Sequence, residues 1–208
     1  MIELFISAFV TFFVVIDPPG CAPIFASLTA GAAPAHRRAM AIRAVLVAAC
    51  ILVVFALFGE DFLRALGVGL DAFRIAGGIM LFLIALEMVF EKRTQRREDR
   101  AEKVKQTGDV EDVSIFPMAI PMIAGPGSIA SAMLAIGKSE GVMEGAVVLG
   151  AMGLILLLTL AALLTAGPLM RLMGHNVETV VTRLLGVILA ALAAQFVING
   201  IHGSFGLS

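Results

Sequence analysis

Two short segments carry the residues able to do chemistry inside an otherwise apolar chain. Asp17-Pro18-Pro19-Gly20 interrupts the hydrophobic run that starts at Ile2, and Gly125-Pro126-Gly127, followed by Ser128, interrupts the run that starts at Phe116. Proline has no N–H to give to a helix interior but is favoured at a first helical position, so each break starts a new half-helix. Asp17 is placed to cap the first of these. A helix N-terminus carries partial positive charge and unpaired N–H groups, and therefore accepts anions. The two ends differ in what they offer. At the first, Pro18 and Pro19 remove two donors and Asp17 adds an acceptor. At the second, Gly127, Ser128 and Ile129 keep their N–H groups and the Ser128 hydroxyl adds another donor. Such a pair suits a small zwitterion, its amine toward Asp17 and its carboxylate toward Gly127 and Ser128. Two other roles for Asp17 stay open: a cap alone, or a proton relay of the kind intramembrane carboxylates often form.

The elements that hold these segments are hydrophobic spans. Residues 2–16 make a helix of roughly 22 Å at about 1.5 Å per residue, short of the ~30 Å hydrocarbon core of a bilayer. The chain must continue through the break and use Cys21 to Ala30 to finish crossing. Carbonyls freed at such a depth cost several kcal/mol each unless buried or facing a water-filled cavity. A break here therefore predicts a cavity. Gly125 and Gly127 either expose backbone to it or permit close helix contact. Pro23, Pro117 and Pro121 are expected to bend their helices.

The chain has 208 residues, 60% hydrophobic and 15% charged, with a mean hydropathy of +1.00. Soluble domains average roughly 25% charged residues. The apolar residues fall in six blocks, at 2–30, 40–59, 66–90, 115–137, 142–167 and 180–201, each long enough to cross a membrane. The expected fold is an all-α membrane protein, one integral domain over 1–208. The N-terminal run lacks a basic leader and a small-residue cleavage site, so it is expected to be a span rather than a signal peptide. Fifteen basic against sixteen acidic residues argue against a nucleic-acid partner. The first, third and fifth connections carry Arg37, Arg38, Arg43, Lys92, Arg93, Arg96, Arg97, Arg100, Lys103, Lys105, Arg171 and Arg183. The second and fourth carry Arg64, Arg74 and Lys138. Basic connections stay cytoplasmic, which sends both termini to the outer, periplasmic side.

The halves also align. Arg74-Ile75-Ala76-Gly77-Gly78-Ile79 matches Arg183-Leu184-Leu185-Gly186-Val187-Ile188 at an offset of 109, and the same offset carries Pro18 onto Gly127. Three spans per half reverse the second half in the membrane, giving two inverted three-helix repeats, 1–90 and 113–208, with broken helices 1 and 4. A charged cytoplasmic loop, 91–112, joins them, either simply solvated or able to bind a regulator.

Other polar residues point nowhere in particular. Glu87 is expected to snorkel at the cytoplasmic end of the third span. Gln195 and Asn199 share a face of the sixth and are expected to bond between helices. Arg74 and Arg183 read as interfacial anchors, and Gly77, Gly78 and Gly186 as close helix contacts. Cys21 and Cys50 lie in apolar segments without neighbouring histidine, and His36, His175 and His202 are scattered. No metal, cofactor or nucleophile–base pair is expected, so an enzyme is disfavoured.

Asp17-Pro18-Pro19-Gly20-Cys21-Ala22-Pro23-Ile24-Phe25, Ile120-Pro121-Met122-Ile123-Ala124-Gly125-Pro126-Gly127-Ser128-Ile129 and Arg74–Ile79 resemble, in order, the signature segments of the MarC family of six-span bacterial inner-membrane proteins. The likeness covers essentially the whole chain. It departs at Cys21, a candidate substrate-binding position where the family commonly has Asn, so a side-chain amide contact to substrate would be missing. The resemblance implies a proton-driven transporter of small neutral amino acids such as glycine and alanine. It implies a substrate region at Asp17, Pro18 and Gly20 with Gly125, Pro126 and Gly127. The family's association with multiple antibiotic resistance leaves a drug or metabolite exporter as the alternative, and a membrane scaffold or sensor as the non-transporting one. Oligomeric state, coupling ion and direction are not legible.

Overall fold

The computed structural model describes residues 1–92, 95–99, 102 and 112–206, and for 167–179 the backbone only. These residues are helical throughout, with no strand among them: α1 (Ile2–Ile16), α2 (Pro18–Leu28), α3 (Pro34–Ala65), α4 (Leu70–Val89), α5 (Ser114–Ile123), α6 (Pro126–Ile136), α7 (Val142–Leu164) and α8 (Ala166–Phe205). Five stretches are long and apolar enough to cross a bilayer: α1 with α2 as Ile2–Leu28, then α3, α4, α7 and Val180–Phe205. Joined across a bend of 53°, α5 and α6 make a sixth. The all-α membrane fold with interrupted first and fourth spans is what the sequence predicts.

Several boundaries differ from the hydropathy blocks. Helix α3 takes in His36, Arg37 and Arg38 and runs on to Ala65. The expected break at Arg171–Glu178 is helical, because α8 already starts at Ala166 after the turn at Thr165. Hydropathy marks where lipid ends, whereas a helix satisfies its own backbone and can run on into water. The first half of the fourth span is the largest departure. It is wound wide, with Met118 N–H donating to Val113 O at 3.3 Å and Ala124 N–H to Ala119 O at 2.9 Å. Phe116 and Ile120 are extended. Each precedes a proline, whose ring disfavours the α conformation in the residue before it. Both X–Pro bonds are cis.

The bundle buries Phe12, Ile16, Phe25, Leu52, Met118 and Ile155 and leaves Leu46, Phe58, Leu157 and Leu184 on its outside. An apolar exterior of this kind suits lipid, where there is no penalty for exposed aliphatic surface. Small residues set the closest approach, between α4 and α8. A Cβ on Gly78 would stand 2.8 Å from the Ala193 carbonyl oxygen, and one on Gly186 would stand 2.9 Å from Met88 Cβ. These glycines make the close contacts the sequence predicts. The flanking arginines are paired, Arg74 with Asp71 at 2.6 Å and Arg183 with Glu91 at 2.7 Å. The amides behave otherwise than expected: Gln195 Nε2 donates to Asn199 Oδ1 of the same helix at 2.8 Å, on an exposed face.

Candidate functional site

The first break turns on one residue. Asp17 sits at φ 58°, ψ 66°, a left-handed conformation that Asp tolerates better than most residues. Its N–H still bonds Phe13 O at 2.9 Å, closing α1. Its side chain accepts from Gly20 N–H at 3.1 Å, opening α2. The cap and the proline start are therefore as the sequence places them. The carboxylate's other oxygen is taken by a residue from far along the chain: Arg97 Nη1 lies 2.8 Å from Asp17 Oδ2, with side chains 10% and 3% exposed. Gly20 makes room for this pair. A Cβ there would overlap Asp17 Oδ2 and come within 2.8 Å of Arg97 Nη1.

The second break is open at the corresponding point. Gly125 is extended at φ −84°, ψ 171°, and contributes no side chain to the start of α6. Ile129 is the first residue to bond back, donating to Gly125 O at 3.0 Å. The N–H groups of Gly127 and Ser128 precede the first intrahelical donor, Ile129, and have no acceptor within the helix. Ser128, at the same end, is buried. Both glycines are also packing residues. A Cβ on Gly125 would lie 2.5 Å from Pro121 O, and one on Gly127 would lie 2.6 Å from Ile84 Cδ1 and 3.2 Å from Val15 Cγ1. Exposure and close contact, alternatives at the sequence level, hold together.

A cavity of about 390 Å³ collects these groups. Gly125, Pro126, Gly127 and Ser128 line it, as do Pro121 and Met122 from α5, Val15 from α1, and Ile84 and Glu87 from α4. Of the predicted substrate residues, the four of the second break are thus brought together. Asp17, Pro18, Gly20 and Cys21 are buried and do not line it. Asp17 stands behind Arg97, which does. Cys21 is fully buried, its thiol 3.4 Å from Ile16 O. Pro121, expected only to bend its helix, forms part of the wall.

Three charged residues of the wall were not legible as such. Glu87 is no free snorkelling carboxylate: it lines the cavity, 23% exposed, and pairs with Arg96 at 2.6 Å. Arg96 and Arg97 come from the charged run 91–112, most of which lies outside the described residues, as do its possible regulatory role and the Arg171 side chain. The single available signal was Asp17 itself. A carboxylate buried at mid-span needs a cation, and none lies on its own helix.

Away from the spans, two charges among the described residues are shifted. Burial acts to raise the Asp112 pKa, but its interaction with Ser114, whose N–H donates to Oδ1 at 2.9 Å, and the charge of Arg43 outweigh it and hold the carboxyl below its usual value. Burial, then the charge of Arg74, push the Lys138 ammonium below the ordinary lysine value. It rests 4.4 Å from the centre of the Phe196 ring.

Known proteins match the chain over nearly its whole length. Residues 2–205 match the family described as MarC family integral membrane protein. A UPF0056 membrane protein of Methanocaldococcus jannaschii is 36% identical over 98% of both chains. YvbG of Bacillus subtilis, a UPF0056 membrane protein, is 31% identical over 99% of this chain and 97% of its own. YhcE of Escherichia coli, named likewise, is 31% identical over 95% of this chain and 91% of its own. No solved structure matches. With the broken spans, the cavity between them and these full-length matches, the chain belongs to the MarC family of integral membrane proteins.

Proposed function

We propose that this multi-pass membrane protein is a secondary transporter of small neutral amino acids of the glycine and alanine class, working by alternating access around its two helix breaks. The observation that carries this reading is the chemistry of one cavity. The open N-terminus of α6 and Ser128 share it with two guanidinium groups and the Glu87 carboxylate. An α-carboxylate fits the unspent N–H groups of Gly127 and Ser128, and an α-amine fits a carboxylate. Glu87 is the carboxylate on the cavity wall; Asp17 reaches an amine only after Arg97 has moved.

Volume does not select the substrate, since about 390 Å³ lies within the ~300–1,000 Å³ range of drug-sized pockets. Charges of both signs at a helix end favour the zwitterion over an apolar drug. The pairing of spans supports the inverted repeat. The first span packs on the fifth and the second on the fourth, while the third packs on the sixth. Exchanging the halves leaves that scheme unchanged, as a two-fold axis in the membrane plane requires. In this reading the basic connections face the cytoplasm, both termini lie outside the inner membrane, and Asp17 couples transport to protons.

Counterflow of labelled glycine or alanine in proteoliposomes tests the proposal. Saturable exchange, outcompeted by glycine but not by large amino acids or drugs and collapsed by a proton ionophore, supports it. Flux of drugs alone turns the reading toward an exporter, and absence of flux for any solute toward a scaffold.

A further inference from the structure

We infer that Arg97 is a carboxylate-responsive latch: Asp17 holds it at the cavity wall, and a substrate carboxylate draws it away, so that the residue both selects carboxylate-bearing solutes and opens the site on the side of the 91–112 connection. The inference rests on the transport reading for its substrate and on the geometry for its latch.

Arg97 lies outside α1–α8, on a helical stretch at residues 95–99 beyond the end of α4, yet its side chain is nine-tenths buried. Two adjacent arginines clip this short segment to different parts of the bundle. Arg96, 63% exposed, holds Glu87 of α4, and Arg97 holds Asp17 at the α1–α2 joint. Both line the cavity, so releasing the segment widens it. Gly20 shows that the Arg97 position is built into the fold: nothing larger than hydrogen fits beside the pair.

A buried ion pair adds little net stability compared with apolar packing, and its best-attested use is as a register or switch element. Here one partner sits at a joint between helices and the other on a cavity wall. A guanidinium is a planar fork that can pass from one carboxylate to another. The α6 N-terminus and Ser128 hold a substrate carboxylate within the same cavity, where it competes with Asp17 for that fork.

The test uses purified full-length protein in proteoliposomes. Met122, on the cavity wall and 5% exposed, is changed to Cys in a Cys21→Ala, Cys50→Ala background and labelled with a membrane-impermeant thiol reagent from each side. Exchange of labelled glycine is measured alongside, with glycine and glycinamide, which lacks the carboxylate, as competitors. Arg97→Gln is expected to speed labelling from the 91–112 side, to raise the KM for glycine by roughly 10- to 100-fold, as losing one charge-assisted hydrogen bond implies, and to erase the preference for glycine over glycinamide. Asp17→Asn, which removes the carboxylate that pairs with Arg97 but keeps the arginine, is expected to speed labelling while retaining that preference. Arg97→Lys, which keeps the charge without the fork, provides a milder variant if Arg97→Gln does not fold, and is expected to fall between. Unchanged labelling together with unchanged preference in the folded Arg97 variants overturns the latch. If the parent transports no glycine, the transport reading fails instead, and labelling alone decides whether Arg97 gates the cavity.

Discussion

Replacing Gly20 by alanine adds one methyl group at the most crowded point of the first break. Alanine is favoured over glycine in a helix by about 1 kcal/mol, so an open site would gain stability. The added Cβ here overlaps Asp17 Oδ2 and stands 2.8 Å from Arg97 Nη1. Asp17 cannot turn away without giving up its bond to Gly20 N–H, so Arg97 is the group expected to leave. Removing one partner of a buried ion pair costs about 3–5 kcal/mol. The net loss is then about 2–4 kcal/mol, roughly 30- to 1,000-fold in the equilibrium for opening. The chain has no Trp or Tyr, so melting in detergent is followed by circular dichroism. A local reporter is also built in: Cys21 is fully buried next to the substitution, while Cys50 is exposed. In a Cys50→Ala background, Gly20→Ala is expected to lower the melting temperature and to speed thiol labelling of Cys21 within that range. A variant that melts with its parent and labels no faster refutes the account of the Asp17–Arg97 pair.

Ser128→Ala is expected to keep the fold and raise the KM for glycine by about tenfold, the value of one hydrogen bond near 1.4 kcal/mol; an unchanged KM removes the hydroxyl from the site. The Ser131 hydroxyl is buried without a partner among the described residues, so Ser131→Ala should raise the melting temperature, the unmet hydroxyl costing about 1–3 kcal/mol. Gly78→Ala should destabilise by about 1–3 kcal/mol through overpacking, since its Cβ meets backbone atoms of α8. Gly150→Ala, with nothing within 4 Å, is the control and should melt at or above the parent temperature. The depressed Lys138 pKa makes a pH prediction: from the folded value up to the ordinary 10.5, the unfolded chain binds more protons, so stability rises with pH. Melting curves of the parent against Lys138→Met should diverge with that sign, and parallel curves contradict the shift.

Much of the fold was legible because its causes are local. Apolar blocks of bilayer length mark spans, prolines mark where helices cannot continue, and an Asp before Pro18 marks a cap. None of these depends on what lies across the bundle. The small residues at 77, 78 and 186 fall in the same class, because a helix face without Cβ atoms invites a neighbour whichever neighbour it is. Helix ends were less legible: α3 and α8 run past their apolar blocks, since water tolerates a helix as well as lipid does. The winding of α5 was missed because two prolines four residues apart set its path, which no period of 3.6 describes.

The sequence by itself determined that the chain crosses the membrane, where its first and fourth spans break, and that the second break offers free N–H groups with a serine. Tertiary structure alone decided the charge of the site. Asp17 and Arg97 are 80 positions apart, and Arg96 and Arg97 are separated from Glu87 by a turn that ends helical periodicity. Whether a carboxylate faces a cavity or an arginine depends on where the chain returns, and no local pattern encodes that. A site predicted to hold a bare Asp17 at one end and free donors at the other therefore has an occupied carboxylate behind Arg97 and an open helix end beside it.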